Sequence, residues 1–304
     1  MSSFPPDGLS VRRATVEDAP AVNELITAAD VAVQGWSESS ESELLGWWRM
    51  MDLDQDSWVL HENGAIAAYA AGFLHGETFE LDGYVHPERQ GRGIGAWLVA
   101  RAEERARELS LPRLYTFSLA ADERAHRLFH QFGLRELRRY YRMLIELDAP
   151  PEPAQLPDGL RFDTFKVEDA REFHDAVGDA FADEWNFVHT PFEEWWQLRV
   201  EGPDFDPTLW FVVRDGDEMA AVARCEPDRS GAGFVGLIGV RKPWRRRGVG
   251  LVLLQHVFAE FYRRGQPRIA LGVDAQNPTG ATRLYERAGM RVAYEAVTHG
   301  KELT

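Results

Sequence analysis

Two short stretches of this 304-residue chain set arginines beside closely spaced glycines, RQGRGIG (Arg89 to Gly95) and RRRGVG (Arg245 to Gly250). Glycine tolerates positive φ and lets a backbone approach a ligand closely. Where such a loop opens a helix, successive N–H groups converge on one concavity that suits a phosphate, through hydrogen bonds and the helix dipole. Arg89 and Arg92, and Arg245, Arg246 and Arg247 in the second stretch, would add counter-charge. A solvated tight turn is the plain alternative, and a dinucleotide fingerprint is the usual rival. The rival fits poorly: each loop follows antiparallel hairpins rather than a first strand, and no third glycine completes G-x-G-x-x-G.

The loops belong to an internal repeat. Gly93 and Gly248 are 155 residues apart, and LFHQFGL (Leu128 to Leu134) lies beside LYERAGM (Leu284 to Met290) at an offset of 156. LSVRRATVEDAPAV (Leu9 to Val22) pairs in the same way with LRFDTFKVEDAREF (Leu160 to Phe173). Between the copies, Leu147 to Gly159 holds four prolines, which neither a helix nor a central strand tolerates. The expected organisation is therefore a domain over 1–148, a proline-rich linker over 149–158 and a second domain over 159–304.

Each half repeats one pattern of elements. A short strand (Ser10 to Arg13; Arg161 to Phe165) meets a helix with acids in its first turn, and an aromatic helical stretch follows (Glu41 to Met51; Pro191 to Val200). Hairpins marked by Asn63-Gly64 and Asp215-Gly216 come next, then a strand ending at Val85 or Val240. The glycine loop opens a long helix (Ile94 to Leu109; Val249 to Arg264). A strand (Arg113 to Ser118; Arg268 to Val273), a helix (Glu123 to Phe132; Thr279 to Ala288) and final strands complete it. This predicts a mixed α/β (α+β) fold, with a mostly antiparallel sheet flanked by helices in each half.

Composition narrows the partners. At 44% hydrophobic and 27% charged residues, each half can bury a core. A net charge of -15 argues against nucleic acid, which needs a basic face. The single cysteine, Cys225, lies in the apolar run MAAVARC, so no internal disulfide or thiolate metal site is expected, and no metal is. MSSFPPDGLS has no apolar signal region, and no stretch is long and apolar enough to span a membrane. A cytoplasmic monomer or homodimer is expected.

The run from Val240 through Arg245, Gly248 and Gly250, followed by Asn277, Ala281, Leu284, Tyr285 and Gly289, resembles motifs A and B of the GNAT superfamily of acyl-CoA N-acyltransferases. Val85, Gln90, Gly93 and Gly95 repeat the first motif, and the resemblance covers roughly 9–147 and 159–303. As a chain of two such halves it is similar to tandem acetyltransferases of the mycothiol synthase type. The resemblance implies transfer of an acetyl group from acetyl-CoA to a primary amine of a small molecule. It implies that CoA lies on Ile238, Gly239 and Val240 and on the loop Arg245, Arg246, Arg247, Gly248, Val249 and Gly250, with Asn277 on its arm. The matching positions of the first half are Gly83, Tyr84, Val85, Gln90, Gly91, Arg92, Gly93, Ile94 and Gly95.

Tyr285 would protonate the departing thiolate, although a tyrosine at helical spacing also suits core packing. In the first half Phe129 stands for Tyr285 and Ala121 for Asn277, so that half is expected to lack catalysis. The strand GAGFVGLIGV carries no acid, and the general base stays open among Asp274, the first choice, Glu226, Asp183, Glu184, His189 and a water chain. Glu80 and Asp82 of the first half could bind an amine, cap a strand or be solvated. Asp183, Glu184 and Trp185 are expected to line the acceptor pocket, while Phe192, Trp195 and Trp196, at i, i+3, i+4, are expected to face the core. A CoA-binding regulatory or scaffolding protein without transfer activity is the alternative.

Overall fold

Alternation of apolar side chains explains how each sheet is covered on both faces. The computed structural model describes residues 4–153, 155–202, 205–229 and 231–303, with only the backbone for 227–229. The first half runs β1 (Ser10–Arg12), α1 (Ala19–Gln34), α2 (Glu41–Trp48), α3 (Leu53–Asp56), β2 (Ser57–Glu62), β3 (Ala65–His75), β4 (Thr78–Val85), α4 (Ile94–Glu108), β5 (Arg113–Leu119), α5 (Glu123–Gln131) and β6 (Arg135–Glu146). The second runs β7 (Leu160–Thr164), α6 (Ala170–Phe181), α7 (Phe192–Arg199), β8 (Trp210–Asp215), β9 (Glu218–Arg229), β10 (Ala232–Val240), α8 (Val249–Arg263), β11 (Arg268–Asp274), α9 (Ala281–Arg287) and β12 (Arg291–Glu302).

In the first sheet Val59, Tyr69 and Ala71 pack with Val22, Leu25 and Trp48 of α1 and α2. Their neighbours Trp58, Leu60, Ala68 and Ala70 face the other way, against Ile94, Trp97 and Leu98 of α4. The second sheet repeats this. Trp210, Val212 and Val222 meet Phe173 of α6 and Trp195 of α7, and Phe211, Val213 and Ala223 meet Leu253, Val257 and Phe258 of α8. A period of two puts successive side chains on opposite faces, so each strand serves two cores. Trp195 is buried, with Phe192 and Trp196 packed against the same cluster, as their helical spacing predicts.

The chain forms two compact units, and their boundary departs from the sequence repeat. One unit comprises 1–140 with 295–304, and the other comprises 141–294. In the first the strand order is β1-β2-β3-β4-β5-β12, and in the second it is β7-β8-β9-β10-β11-β6. Each unit therefore takes its last strand from the other half of the sequence. Ala296–Glu302 pair antiparallel with Leu119–Arg113, while Met143 is wholly buried in the second core. The expected boundaries, 1–148 and 159–304, follow the repeat but not the units. The segment over 149–158 belongs to the second unit, where Leu147 and Leu156 pack on the core. These two apolar side chains tie the proline-rich stretch to that core.

Smaller departures have local causes. The hairpin expected at Asp215-Gly216 turns at Gly216-Asp217, because Asp215 still pairs with Glu218. Gly216, at φ 58, takes the first central position of a two-residue turn. Asn63 and Gly64 are both left-handed, as their hairpin requires. Helix α9 begins at Ala281 rather than Thr279, since Thr279 caps back on Asn277 and Gly280 is left-handed at φ 80.

The shared strands generate a test. A chain ending at Tyr294 strips the part of β12 that pairs with β5 and leaves the strands of the second unit in place. Amide hydrogen exchange should show protection of Arg113–Leu119 falling about 100-fold while β8 and β9 keep theirs. Equal loss in both units would contradict the assignment of 295–304 to the first.

Candidate active site

The site begins where two parallel strands part. In the second unit β10 pairs with β11 only over Gly233–Val235 with Ile269–Leu271, while its pairing with β9 continues to Val240. A bulge falls at Gly236, since Val235 is opposite Cys225 and Leu237 is opposite Arg224. Bulges bend a strand and end its pairing on one side. A Cβ at Gly236 would stand 3.0 Å from Glu226 Oε1, so a side chain would crowd this bend. Among the described residues, the edge of β10 over 236–240, which includes Ile238, Gly239 and Val240, thus has no partner strand. In the first unit β4 pairs with β5 only over Thr78–Leu81, and the Thr116 hydroxyl donates to Leu81 O at 2.9 Å. Gly83, Tyr84 and Val85 lie on the open part of that edge.

The glycine loops follow these edges. Gly91 and Gly93 have φ 79° and 81°, and the matching residues Arg246 and Gly248 have φ 62° and 84°. Left-handed residues on either side of Arg92 and of Arg247 turn the intervening N–H groups to one side, which is the geometry of an anion nest. Gly93 and Gly248 are the N-caps of α4 and α8 and supply no capping side chain. Among the described residues, the N–H groups of Gly91 to Gly95 and Arg246 to Gly250 have no acceptor. Ile94 and Val249, buried in the two cores, anchor the first turns. The last glycine of each loop serves packing instead: a Cβ at Gly95 would meet Leu128 at 2.9 Å, and one at Gly250 would meet Leu284 at 3.0 Å. Those two glycines admit the following helix.

The loop arginines differ in their partners. Arg245 donates to Val240 O at 3.0 Å, Ala180 O at 2.9 Å and Asp183 at 3.2 Å, so its guanidinium builds the loop. Gln90, its counterpart, reaches Val85 O at 3.5 Å. Arg89 and Arg92 both pair with Glu62, at 2.6 and 2.7 Å, which removes one of their two charges. Arg246 and Arg247 are exposed and make no ion pair among the described residues. The second loop therefore has two free guanidinium groups where the first has two that share one carboxylate. Free N–H groups, free cations and an open strand edge fit a pyrophosphate followed by a chain of amides.

Beside this loop the second unit gathers residues far apart in sequence. The turn between α6 and α7 brings Glu184 to Asn277, whose Nδ2 donates to Glu184 Oε1 at 2.6 Å. Asn277 Oδ1 accepts from Thr279 N at 2.8 Å, so its amide is engaged on both sides. Asp274 ends β11, is 7% exposed and accepts from Gln276 N at 2.8 Å. Tyr285, on α9, is 7% exposed, and its hydroxyl has no hydrogen-bond partner among the described residues. Burial raises the Glu184 pKa, Asn277 opposes this, and the nearby Asp274 charge adds to it. Burial and then the Glu184 charge push the Tyr285 phenol well up, so it stays protonated.

Several expected roles change. Asp183 pairs with Lys242 at 3.0 Å and with Arg245 at 3.2 Å, and these cations hold it below the usual carboxylate range. It fastens the α6–α7 turn to the glycine loop. His189 packs on α6, where a Cβ at Gly178 would come within 2.5 Å of its ring, and it meets His174 edge-on. Glu226 pairs with Arg224 at 3.0 Å. Trp185 is half-buried in the same turn as Glu184. Cys225 is buried, and burial pushes its thiol far up, which removes any nucleophilic role. The carbonyl bonds of Gln90 and Arg245 were not legible from residue types, beyond one shared feature: both residues stand five places after the strand's last valine.

The first unit lacks this constellation. Phe129, 7% exposed, is the counterpart of Tyr285: Leu134 N bonds Phe129 O as Met290 N bonds Tyr285 O. The counterpart of Asn277 is Asp122 rather than Ala121, because Asp122 N bonds Leu119 O as Asn277 N bonds Asp274 O. Asp122 caps α5 at Arg124 and Ala125, and Leu119 replaces Asp274. Glu80 is tied to His75 at 3.0 Å. Asp82, hydrogen-bonded to Tyr84, is pushed up to about 6 by burial and by the charges of Asp30 and Glu43.

A parallel pair that splays open, an anion-nest geometry beyond it and a tyrosine on the following helix fit an acyl-CoA N-acyltransferase. Comparison with known proteins agrees. The acetyltransferase (GNAT) family model matches residues 20–134 and 170–290, and the chain belongs to that family. It is 28% identical over 294 residues to mycothiol acetyltransferase of Propionibacterium freudenreichii subsp. shermanii, covering 92% of this chain and 88% of the relative. The same enzyme of Thermomonospora curvata is 30% identical over 285 residues, with 89% and 90% covered. Among solved structures, a GCN5-related N-acetyltransferase from Sphaerobacter thermophilus superposes with TM-score 0.87 at 35% identity, covering 99% of this chain and 97% of that one. A tandem GNAT protein from the clavulanic acid biosynthesis pathway shares the fold, with TM-score 0.78 at 16% identity, covering 97% and 99%. The protein is an N-acetyltransferase that uses acetyl-CoA to acetylate an amine. No helix among the described residues is long and apolar enough to cross a membrane.

The raised Asp82 pKa yields a stability test. The folded state favours the neutral carboxyl, so its contribution is complete below the ordinary carboxylate pKa of about 3.9 and is lost as pH rises through about 6. Asp82→Asn should match the wild type near pH 4 and be about 1 kcal/mol more stable at pH 8, after allowance for solvent screening. Thermal melts across that range check it, and a difference independent of pH would contradict it.

Proposed function

We propose that acetyl transfer takes place in the second unit, on a primary amine of a small molecule, with Tyr285 as the general acid. The observation that carries this reading is the meeting of Tyr285, Glu184, Asn277 and Asp274 beside the loop Arg246 to Gly250. The first unit, with Phe129 and Leu119 in place of Tyr285 and Asp274, serves as a structural partner or holds CoA without turnover. The acceptor is read as a small-molecule amine of the kind mycothiol acetyltransferases act on, after the relatives that match most of the chain.

Acetyl-CoA supplies the acyl group as a thioester, with carbon open to attack and sulfur as leaving group. The N–H groups of Arg246 to Gly250, with the guanidinium groups of Arg246 and Arg247, would hold its pyrophosphate. The open edge at Ile238, Gly239 and Val240 would bond the amides of its arm and turn an N–H toward the thioester oxygen. Tyr285 would give its hydroxyl proton to the sulfur. Burial and the Glu184 charge raise its pKa, which keeps that proton in place near neutral pH.

Tyr285→Phe should lower kcat about 100-fold and leave the CoA dissociation constant within about twofold, because only the acid is removed. Steady-state release of CoA thiol and titration calorimetry with CoA measure the two. Full turnover in this variant would overturn the assignment of the acid and of the catalytic unit.

A further inference from the structure

An alkylammonium ion must lose a proton before its nitrogen can attack a thioester, yet β10 carries no acid from Gly231 to Val240. Four carboxylates of the second unit compete for that role. Asp183 is neutralised by Lys242 and Arg245, and Glu226 by Arg224. Asp274 accepts from a backbone N–H of its own turn. Glu184 is different: one oxygen accepts from Asn277, and among the described residues the other has no partner. We propose that Glu184 is the general base that takes the proton from the acceptor amine, and that Asn277 is the positioning residue that aims it. The inference rests on the reading that catalysis belongs to the second unit.

The surroundings suit the role. Asn277 and Asp274 face Glu184 from the β11–α9 turn, Arg245 from the glycine loop, Asp183 from its own turn and Tyr285 from α9. Burial and Asp274 raise the proton affinity of Glu184 above that of an ordinary carboxylate, toward what a base working near neutral pH needs. Asn277 restrains the rise through its N–H donor. The charge of Glu184 is also one of the causes that hold the Tyr285 phenol up. Once Glu184 has taken a proton that charge is gone, and Tyr285 becomes the stronger acid at the stage when the sulfur needs one. Base and acid are coupled in the order the reaction uses them.

The protons balance. Glu184 takes one from the ammonium, and the freed lone pair forms the N–C bond. The C–S bond breaks with its electron pair on sulfur, which receives the Tyr285 proton. The surplus proton on the new amide nitrogen restores the phenol, and Glu184 releases its own to solvent.

The test uses the full chain with acetyl-CoA and three groups of acceptors, polyamines, amino sugars and peptide N-termini, reading CoA thiol release against pH. Glu184→Gln should lower kcat/KM by about 100- to 10,000-fold near pH 7 and abolish the acidic limb of the profile, with activity recovering at high pH as free amine accumulates. Its dissociation constant for CoA alone should stay within about twofold. Asn277→Ala should move the acidic limb to higher pH, because a donor to the carboxylate is lost, and Asp274→Asn should move it to lower pH, because a negative neighbour is lost. A merely structural role for Glu184 would produce neither displacement. Wild-type turnover with an acidic limb unchanged in Glu184→Gln, or a limb lost in Glu226→Gln instead, would overturn the assignment of the base. Wild-type release no faster than hydrolysis with every acceptor, or full turnover in Tyr285→Phe, would overturn the reading beneath it.

Discussion

The separation of two parallel strands is the constraint on which the site depends. β10 can bond to β11 or to a ligand, but not to both, and the ladder stops at Val235. Beyond it the backbone of β10 is held on one side by β9 alone, which leaves a row of donors and acceptors facing outward. Such an edge is ordinarily a liability, because it invites another strand. Here it leads from the core to the glycine loop, and the proposed cofactor site rests on it. The two units reach this geometry differently: the second uses a bulge at a glycine, and the first ends its ladder on the Thr116 hydroxyl.

The loops show how one backbone shape can carry different electrostatics. Arg246 adopts a left-handed conformation that glycine adopts at the matching Gly91. A non-glycine residue there costs about 1 kcal/mol. In return the loop presents an exposed cation that Gly91 cannot supply. Glu62 holds both arginines of the first loop, whereas Asp183 in the second pairs with Lys242 and Arg245 and leaves Arg246 and Arg247 free. The two nests are alike in their N–H groups and unlike in their net positive charge.

Rigid support for the second site comes from further away. Arg214, 7% exposed on β8, donates to Asp163, Asp169 and Glu172 at 3.2, 2.8 and 3.1 Å, joining β7, β8 and the start of α6. A buried guanidinium needs this many partners, since an unpaired charge there is severely unfavourable. At the other end of α6, Ala180 and Phe181 close on β10: a Cβ at Gly239 would fall 2.7 Å from Ala180 and 2.9 Å from Phe181. The turn carrying Asp183 and Glu184 follows directly. Its position is thus set by a salt-bridge network at the beginning of the helix and by the absence of a side chain at its end.

The sequence by itself determined the features that depend on local backbone chemistry. The repeat, the two hairpin signals, the left-handed glycines ahead of α4 and α8, the core-facing Phe192, Trp195 and Trp196, and the exchange of Tyr285 for Phe129 were all legible from residue types and spacing. Its limits were set by contacts between distant residues. Nothing local says that Arg245 will give its donors to three internal acceptors, or that Asn277 will meet Glu184, 93 residues earlier. The exchange of β6 and β12 between units was hidden for a related reason. Both are long strands with similar alternation, and alternation specifies which face a residue takes, not which of two equivalent sheet edges the strand joins. Only the tertiary structure chose the edge, because that choice lies in packing: His299 against Phe129 in one core and Met143 beneath the strands of the other.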